Sequence, residues 1–431
     1  MCERWLAWVI TAAIVPFTLA ACSRSGAMGA PDAAPMADGS VTECAPANQC
    51  PLVSCACAAS TCAPATQTVT TSGCHDGQCL GAADLCPSAC AAIASSWQPT
   101  PPPPGTSLRS DAWASVSVPA AFDAAVDVHG TAADDFRVVV GTNYGSATPS
   151  AVRTMLWHVS AGVITDETPQ FLTQFTGDVA HEQALRVWVF GSGKRWLITS
   201  QTQRSTSDIV SKLYELDGAT TTTMSGGALD AAQTLNAIAA VSDSDVYLGG
   251  TAAGGMPLLL HYDGAAFATI TLPDATFAEW VQDIGALSSS EVYVLTSTGR
   301  LLKGAGSQFA QVTTGQTGTP QLSNLVTALG SVYLIDGDGL DNSVVRWTGS
   351  ALTPECVPTS DGFVDYLTAF PAGPVIAVRK DEVWVKGDNG WQSLPNVAAA
   401  DPFVWGSGAQ TTYAFVPDSH VQGKGAVYRL P

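Results

Sequence analysis

A four-part pattern of short strands recurs along the C-terminal three quarters of the chain. One copy is clearest, with apolar or alternating runs at Leu235–Ala240, Asp245–Gly250, Leu258–Tyr262 and Phe267–Leu272. Ser, Asp and Gly residues separate the runs, and Asp263-Gly264 is a typical tight-turn dipeptide before the last of them. The predicted unit is therefore four strands in about 40 residues.

The second and third strands of this unit recur seven times each. Second-strand copies occur at Phe136–Val140, Trp196–Ile198, Val246–Leu248, Val292–Val294, Val332–Leu334, Val375–Val378 and Tyr413–Phe415. Third-strand copies occur at Leu156–His158, Leu213–Glu215, Leu260–Tyr262, Leu301–Lys303, Val345–Trp347, Val383–Val385 and Val427–Arg429. Residues 106–431 give about 47 residues for each copy, and four strands in about 40–50 residues is the period of a β-propeller blade. The pattern predicts an all-β, seven-bladed β-propeller at 111–431, with six or eight blades as alternatives because the first two copies are irregular.

The two ends of the repetitive region complement each other. The last copy ends at Tyr428–Pro431 after three strands. A segment that resembles the fourth strand of the preceding copy, Trp391–Pro395, occurs at Trp113–Pro119 instead. Pairing it with the last strand satisfies backbone groups at exposed sheet edges, so we predict a ring closed by its N-terminal strand.

Several copies share a short motif in which a polar residue is followed by Val-Tyr and then by Leu or Val, as in Asp245–Leu248. This motif is similar to the degenerate propeller repeats of exported bacterial proteins. The resemblance implies a fold and no particular activity. Individual aromatic residues of the repeats are predicted to pack between blades, among them Tyr247, Tyr293, Tyr333 and Trp384.

The first 22 residues have the form of an export signal. Trp5–Ala21 is apolar except for two threonines and is short for a membrane span. Leu19-Ala20-Ala21-Cys22 resembles the lipobox of bacterial lipoproteins. That resemblance implies removal of residues 1–21, a diacylglycerol thioether on Cys22 with palmitate-type acyl chains and, because Ser23 follows, the outer membrane. An ordinary signal peptide or an uncleaved anchor is the alternative.

Two segments without an apolar period are predicted to be tethers. Residues 22–43 are mostly Ala, Gly, Pro, Ser and Asp. Residues 93–110 contain four consecutive prolines, Pro101–Pro104, which favour an extended spacer.

Residues 44–92 between these tethers hold nine of the twelve cysteines: Cys44, Cys50, Cys55, Cys57, Cys62, Cys74, Cys79, Cys86 and Cys90. So small a segment needs cross-links, and dense cysteines in an exported chain are typical of disulfides. Zinc is the alternative, although the C-x2-C pairs common in zinc sites do not occur here. The pattern loosely resembles small cysteine-rich modules of exported bacterial proteins, which implies an adhesive or spacer role. Because nine is odd, one cysteine is left over unless it bonds to Cys356 or to another chain.

Net charge and motif content exclude several functions. The chain has 18 Lys and Arg against 37 Asp and Glu, a net charge of −19, which argues against nucleic-acid binding. The signature motifs of hydrolases, nucleotide-binding proteins and metalloproteases are missing from the sequence. A sialidase-like site would need three arginines at the channel rim, and no pattern groups the scattered candidates Arg137, Arg195, Arg300, Arg346 and Arg379.

The repeats contain five histidines without a chelating pair: His129, His158, His181, His261 and His420. His158 and His261 occupy matching third-strand positions, which favours a structural role. Asp336, Asp338 and Asp341 form the candidate Ca²⁺ site, since alternating carboxylates in a Gly-rich loop can wrap a hard cation. The loop lacks the 12-residue spacing of known calcium loops, so a polar inter-strand loop is the alternative. Lys386–Trp391 resembles the Asp-box turn of sialidase propellers without its leading Ser, which implies a turn only.

These features together predict a monomeric lipoprotein of the cell envelope, held in the membrane by its lipid and displayed on the surface or the periplasmic face. Its propeller is expected to be a non-enzymatic platform for an unknown protein or glycan ligand, with no cofactor other than the candidate Ca²⁺. Two alternatives remain: an exported enzyme acting on glycans or other polymers, and a periplasmic envelope-assembly scaffold.

Overall fold

We describe the protein from a computed structural model. It describes residues 112–430, apart from 143–151, 175–176, 207, 315–320, 338–342, 358, 360–362, 370–372, 388–389, 398–401, 408–410 and 418–424, together with four strands before residue 80. The chain divides into two compact units, one comprising Met1–Cys57 with Thr68–Cys90 and the other Ala58–Gln67 with Ala91–Pro431. In the described ranges, no helix has the length and apolar character needed to cross a membrane.

The cysteine-rich segment contains two short pairs of strands. They are β1 (Val53–Cys57) with β2 (Gln67–Thr71), and β3 (Cys74–His75) with β4 (Gln78–Cys79). Cys74 lies opposite Cys79 in the second pair. The side chains of the nine cysteines, the export signal and both tethers lie outside the described residues, so these assignments stay predictions.

Blades 1 to 4 are four-stranded antiparallel sheets, each formed by consecutive strands. Blade 1 contains β6 (Ala124–Ala132), β7 (Asp135–Thr142), β8 (Arg153–Ser160) and β9 (Val163–Asp166). Blade 2 contains β10 (Val179–Val189), β11 (Arg195–Gln203), β12 (Ile209–Asp217) and β13 (Thr220–Met224). Blade 3 contains β14 (Ala232–Ser242), β15 (Asp245–Ala252), β16 (Pro257–Tyr262) and β17 (Phe267–Ile270). Blade 4 contains β18 (Val281–Ser288), β19 (Glu291–Thr296), β20 (Leu301–Ala305) and β21 (Gln308–Gln311).

Blades 5 to 7 complete the series, and short 3-10 turns precede blades 2 and 3 at Gln170–Leu172 and Gly227–Ala231. Blade 5 contains β22 (Leu322–Ala328), β23 (Ser331–Asp336), β24 (Ser343–Trp347) and β25 (Leu352–Glu355). Blade 6 contains β26 (Tyr366–Ala369), β27 (Val375–Arg379), β28 (Glu382–Gly387) and β29 (Gly390–Ser393). Blade 7 contains β30 (Phe403–Gly406), β31 (Thr412–Val416), β32 (Ala426–Leu430) and β5 (Ala114–Val116).

The seven sheets form a closed ring. The first strand of each blade lies innermost and contacts the first strand of the next blade, and β30 contacts β6 to complete the circle. Blade 7 takes its outer strand from the N-terminal side, because β5 pairs with β32 through Val116 opposite Val427. The Trp113 indole N–H donates to the Pro395 carbonyl 2.8 Å away and fixes the closing strand to blade 6. The predicted seven-bladed ring with N-terminal closure is confirmed.

Aromatic side chains of the second strands fill the spaces between blades, as predicted. Tyr247, Tyr293 and Tyr333 are each about 1% exposed and pack against the following blade. Burial of one such side chain stabilises the fold by about 1.5–3 kcal/mol. Trp384 is half-buried and packs beside the cluster between blades 5 and 6.

The strand order gives the ring two different faces. One face of the ring carries the connections between blades and the loops between the second and third strands of each blade. The inner strands begin at this face, which we call the loop face. The opposite face carries the tight turns of each blade, and we call it the turn face. At one of these turns Gly264 has φ +91°. The backbone N–H groups of Ala265 and Ala266 both donate to the Asp263 carboxylate at 2.9 Å. This arrangement confirms the predicted Asp263-Gly264 turn.

Candidate functional site

The five arginines considered for a sialidase-like rim are used inside or between blades. Arg137 and Arg195 both bond to the Glu167 carboxylate, which joins blade 1 to blade 2. Arg300, Arg346 and Arg379 bond to Glu279, Glu355 and Asp365. All five lie on or next to second and third strands, away from the inner strands that line the channel. Arg137 and Arg195 therefore converge on one carboxylate, whereas Arg300, Arg346 and Arg379 lie apart in blades 4, 5 and 6.

The histidines are also separated, and two of them repeat one contact. The His158 Nε2 atom lies 2.8 Å from the Asp135 carboxylate, and His261 Nε2 lies 2.8 Å from that of Asp245. Each aspartate opens the second strand of its blade, so the two contacts are equivalent positions of the repeat. His181 is buried at the start of inner strand β10, and His420 lies outside the described residues.

The calcium candidate is only partly described. Asp336 ends β23 at the loop face, whereas Asp338 and Asp341 lie outside the described residues. Among the residues that the structure does describe, no three His, Cys, Asp or Glu side chains form a metal-binding group. The Asp336 site therefore stays a prediction. Gly387 and Gly390 lie opposite each other at a hairpin, as expected for the Lys386–Trp391 turn.

Three ionisable side chains on different inner strands, which line the central channel, influence one another electrostatically: Asp127 of blade 1, Arg186 of blade 2 and Asp283 of blade 4. The Val187 N–H donates to Asp127 Oδ2 at 2.8 Å, and the Leu325 N–H donates to Asp283 Oδ2 at 3.0 Å. Each carboxylate therefore accepts a hydrogen bond from the inner strand of the following blade. We call these three residues the channel cluster.

Both carboxyl groups of the channel cluster have pKa values above the ordinary value for aspartate. Burial raises the pKa of Asp127 to about 6 against the opposing effect of Arg186 and the backbone N–H groups. Burial likewise raises the pKa of Asp283 to about 6, and the Asp127 charge adds to this rise. Because both pKa values are about 6, each carboxyl group is about half ionised at pH 6, and the pair then carries about one negative charge beside the Arg186 guanidinium.

An aromatic layer lies next to the channel cluster. The His129 ring stacks on Trp188 with 3.8 Å between ring centroids, and Trp405 lies 6.3 Å away on the other side. The Val189 N–H donates to His129 Nδ1 at 3.0 Å, and burial lowers the pKa of His129 to about 3. The imidazole is therefore neutral at physiological pH and serves as packing and as an acceptor.

A second candidate site lies on the loop face, in the connection from blade 3 to blade 4. Glu279 has a fully buried side chain and accepts two hydrogen bonds from Arg300, at 2.8 and 2.7 Å. The Thr298 hydroxyl and the Thr276 N–H also donate to it, at 2.7 and 3.1 Å. Despite burial, these donors hold the pKa of Glu279 at about 2. We call Glu279, Arg300 and Thr298 the ionic clasp.

The clasp fixes a loop that presents Phe277 to solvent. Asp274 and Ala278 on either side of it have φ of 50° and 65°, a left-handed conformation that non-glycine residues adopt only under constraint. The Ala278 N–H donates to the Gly255 carbonyl at 2.8 Å, which joins the loop to the neighbouring turn of blade 3. Phe277 is 76% exposed, and Met256 on that turn is 40% exposed.

Sequence reasoning did not identify either site. The channel cluster joins residues far apart in the chain, and each of them lies in an inner strand that also contains other polar residues, so no local pattern singles it out. The clasp joins Glu279 to Arg300 across strands β18 and β19. The signal for its loop is a single phenylalanine in a polar connection between blades.

By sequence, no protein family and no curated protein matches the chain. Solved structures that match include catalytically inactive virginiamycin B lyase from Staphylococcus aureus with quinupristin, at 12% identity and TM-score 0.49, covering 74% of this chain and 97% of that chain. YCF48 from Cyanidioschyzon merolae matches at 12% identity and TM-score 0.45, covering 74% and 98%. The WD40 β-propeller domain of Doa1 matches at 13% identity and TM-score 0.45, covering 73% and 95%. These likenesses concern the fold alone.

Proposed function

We propose that this chain is an exported lipoprotein, anchored in the envelope through Cys22, whose propeller binds a protein partner on its loop face without catalysing a reaction. The anchor rests on the Leu19-Ala20-Ala21-Cys22 sequence. The binding role rests on the exposed Phe277 that the ionic clasp holds outward.

The clasp is the observation that carries the binding role. A flexible connection would turn a phenylalanine towards the core, because burial of its ring removes apolar surface from water. Here a buried ion pair and two left-handed residues fix the opposite orientation. A rigid, exposed aromatic side chain beside a methionine is the composition of a binding hot spot.

The charge around Phe277 indicates the chemistry of the partner. Asp274 on the same loop and Asp208 and Asp230 on the same face are exposed, and the whole chain carries a net charge of −19. A partner with an apolar pocket flanked by Lys or Arg would match both features. Association with such a partner would slow as salt is added.

A peptide library tests the binding role. Peptides selected on the wild-type protein should be rich in basic and apolar residues, and Phe277→Ala should weaken their binding at least about 30-fold, the effect of losing a hot spot of 2 kcal/mol. Val163→Ala is the matched control, because Val163 is 62% exposed on the turn face and should not contribute. Equal binding to the Phe277→Ala variant would contradict the proposal.

Metabolic labelling tests the anchor separately. Labelled palmitate should enter the wild-type protein and not Cys22→Ser, and the mature chain should begin at residue 22. A mature N-terminus elsewhere would disprove the anchor and leave the binding role standing. Protease treatment of intact cells then distinguishes surface display from a periplasmic scaffold.

One observation favours a second candidate function. Asp127 and Asp283 place two carboxyl groups on inner strands of the ring, and glycoside hydrolysis uses a pair of carboxyl groups. An exported enzyme acting on glycans would then carry its acid and base in the channel cluster. Turnover of a glycan panel that is lost in Asp127→Asn and in Asp283→Asn, and kept in Phe277→Ala, would select this alternative.

A further inference from the structure

The outermost strand of blade 2 presents an exposed sheet edge. This strand, β13, pairs with β12 alone among the described strands. It consists of four threonines, Thr220 to Thr223, followed by Met224, and all four threonines are exposed. Threonine favours a strand, and β13 contains no charged residue, proline or glycine that would discourage pairing with a further strand.

The outermost strands of the other six blades are shorter, and several carry protection. β5 has three residues and the remaining five strands have four each. β25 contains Pro354, β9 ends at Asp166 and β29 begins at Gly390, and each of these residue types disfavours an added strand. The 3-10 turn Gly227–Ala231 lies against β17, where a Cβ added to Gly227 would come within 3.6 Å of the Phe267 carbonyl oxygen. β13 is therefore the longest of these edges and has none of these protections.

The hairpin register shows which backbone groups of β13 point outward. Two residues separate β12 from β13, with Asp217 opposite Thr220, and Gly218 at the first loop position has φ +58°. The residues that flank such a loop exchange both backbone hydrogen bonds, and pairs then alternate along the strands. The N–H and C=O groups of Thr221 and Thr223 therefore point away from β12. Neither residue exchanges a backbone hydrogen bond with any described residue outside the hairpin.

We propose that β13 binds an extended segment of a partner protein as a fifth strand of blade 2, and that this segment alternates basic with β-branched apolar residues. The two outward N–H groups and two outward C=O groups supply four main-chain hydrogen bonds to such a segment. The surface is separate from the loop-face site at Phe277, and the proposal does not rest on the proposed function.

One face of the edge calls for basic residues. Thr220 and Thr222 lie opposite Asp217 and Glu215, so these four side chains share a face of the sheet. Lys194 pairs with Glu215 at 3.4 Å, whereas Asp217 is exposed. Neighbouring strands are about 4.8 Å apart, so an added strand lies about 10 Å from β12. A Lys or Arg side chain on the added strand spans that gap together with the Asp217 side chain.

The other face calls for apolar residues. Thr221 and Thr223 lie opposite Leu216 and Tyr214, which are buried in the core cluster between blades 1 and 2. A β-branched residue on the added strand would extend that apolar face. A second copy of β13 fits less well, because it brings no base to Asp217 and each chain carries a net charge of −19.

A designed peptide tests the proposal on the mature protein. A capped, fluorescently labelled heptapeptide that alternates valine and lysine should bind the wild type. The same peptide with N-methyl groups on the backbone nitrogens that face β13 keeps every side chain and loses those donors, so it should bind at least about tenfold more weakly. Absence of binding, or equal binding of the two peptides, would overturn the proposal.

Substitutions locate the bound peptide. Thr221→Pro with Thr223→Pro removes two outward N–H groups without removing a bond to β12, so affinity should fall at least about tenfold. Thr221→Val with Thr223→Val keeps the N–H groups and the branched shape and is the matched control. Phe277→Ala should also bind as the wild type does. Binding that survives the proline pair, or that is lost in either control, would contradict an added strand at β13, and a peptide lost only in Phe277→Ala would be bound on the loop face.

Hydrogen exchange on the wild type keeps the proposal testable if the proline variant fails to fold. Saturation with the valine–lysine peptide should slow exchange of the Thr221 and Thr223 amides at least about tenfold and leave the amides of β11 unchanged. Unchanged exchange at both threonines would overturn the proposal. A mature protein that is dimeric by ultracentrifugation, and monomeric with the proline pair, would show that a second copy occupies the edge in place of a basic partner.

Discussion

The ionic clasp and the channel cluster both hold carboxyl groups away from solvent, but the pKa is lowered in the clasp and raised in the cluster. Glu279 is fully buried and keeps its charge, because Arg300 meets both of its oxygens and two further donors complete the site. Asp127 and Asp283 share the charge of one arginine, and each has a backbone N–H from the next blade. Their pKa values differ accordingly, at about 2 for Glu279 and about 6 for each aspartate.

The difference shows that the number of donors decides the state of a buried carboxyl group, and that burial alone does not. A carboxylate with a bidentate arginine and extra donors becomes a fixed structural part, as the rigid loop around Phe277 shows. Carboxyl groups that share too few donors remain close to titration at physiological pH. Such groups are available for a proton or a cation, which is why the channel supports the second candidate function.

Removing the arginine of the clasp should have the largest effect. Arg300→Met leaves Glu279 buried without its main partner, and breaking a buried pair in this way costs about 3–5 kcal/mol of unfolding free energy. Guanidinium denaturation at pH 7 measures the loss. Arg300→Lys keeps the charge without the forked geometry, so its loss should be smaller. A loss below about 1 kcal/mol in Arg300→Met would show that the clasp does not stabilise the loop.

The ionic clasp should make the free energy of unfolding rise with pH at low pH, and the channel cluster should make it fall at higher pH, so that stability has a maximum in between. The folded pKa of Glu279 lies below its ordinary 4.5, so its contribution is present above pH 4.5 and is lost as the pH falls towards 2. The folded pKa values of Asp127 and Asp283 lie above their ordinary 3.8, so stability falls as the pH rises from about 4 through 6. Thermal melts from pH 3 to 8 should therefore peak near pH 4–5. A curve that rises steadily to pH 8 would contradict the raised values in the channel.

Neutralising the carboxyl groups of the channel cluster should remove only the fall in stability between about pH 4 and pH 6. The double substitution Asp127→Asn and Asp283→Asn should stabilise the protein at pH 8 by about 1–2 kcal/mol, a reduced value because both residues are partly exposed to solvent. At pH 4 the gain should disappear, because the wild-type groups are then protonated. Asp208→Asn on the exposed loop face is the control and should change nothing at either pH. Equal stabilisation at pH 4 and pH 8 would mean that packing, not charge, is responsible.

The sequence allowed the ring to be predicted and concealed both sites, for one physical reason. Alternation in a run such as Val246–Leu248 is a local property, and seven copies of it predict seven second strands. The likeness of Trp113–Pro119 to the fourth strand of a repeat likewise predicted the closing strand, which the structure has at Ala114–Val116. Asp127, Arg186 and Asp283 meet only because the ring brings their inner strands together. No spacing along the chain records that proximity.

The smallest effect should come from an ion pair that lies near the clasp and is open to solvent. Lys303 lies three residues after Arg300, and its Nζ atom is 2.6 Å from a Glu291 oxygen and 5.4 Å from the centre of the Tyr293 ring. The side chains of the pair are 41% and 36% exposed, so water already solvates both charges. Lys303→Met should therefore cost no more than about 0.5–1 kcal/mol, as for most exposed pairs. Guanidinium denaturation in low and high salt measures it beside Arg300→Met. If Lys303→Met and Arg300→Met lower the unfolding free energy equally, then burial does not increase the stability that an ion pair contributes. The contrast between the ionic clasp and the channel cluster could then not be explained by burial.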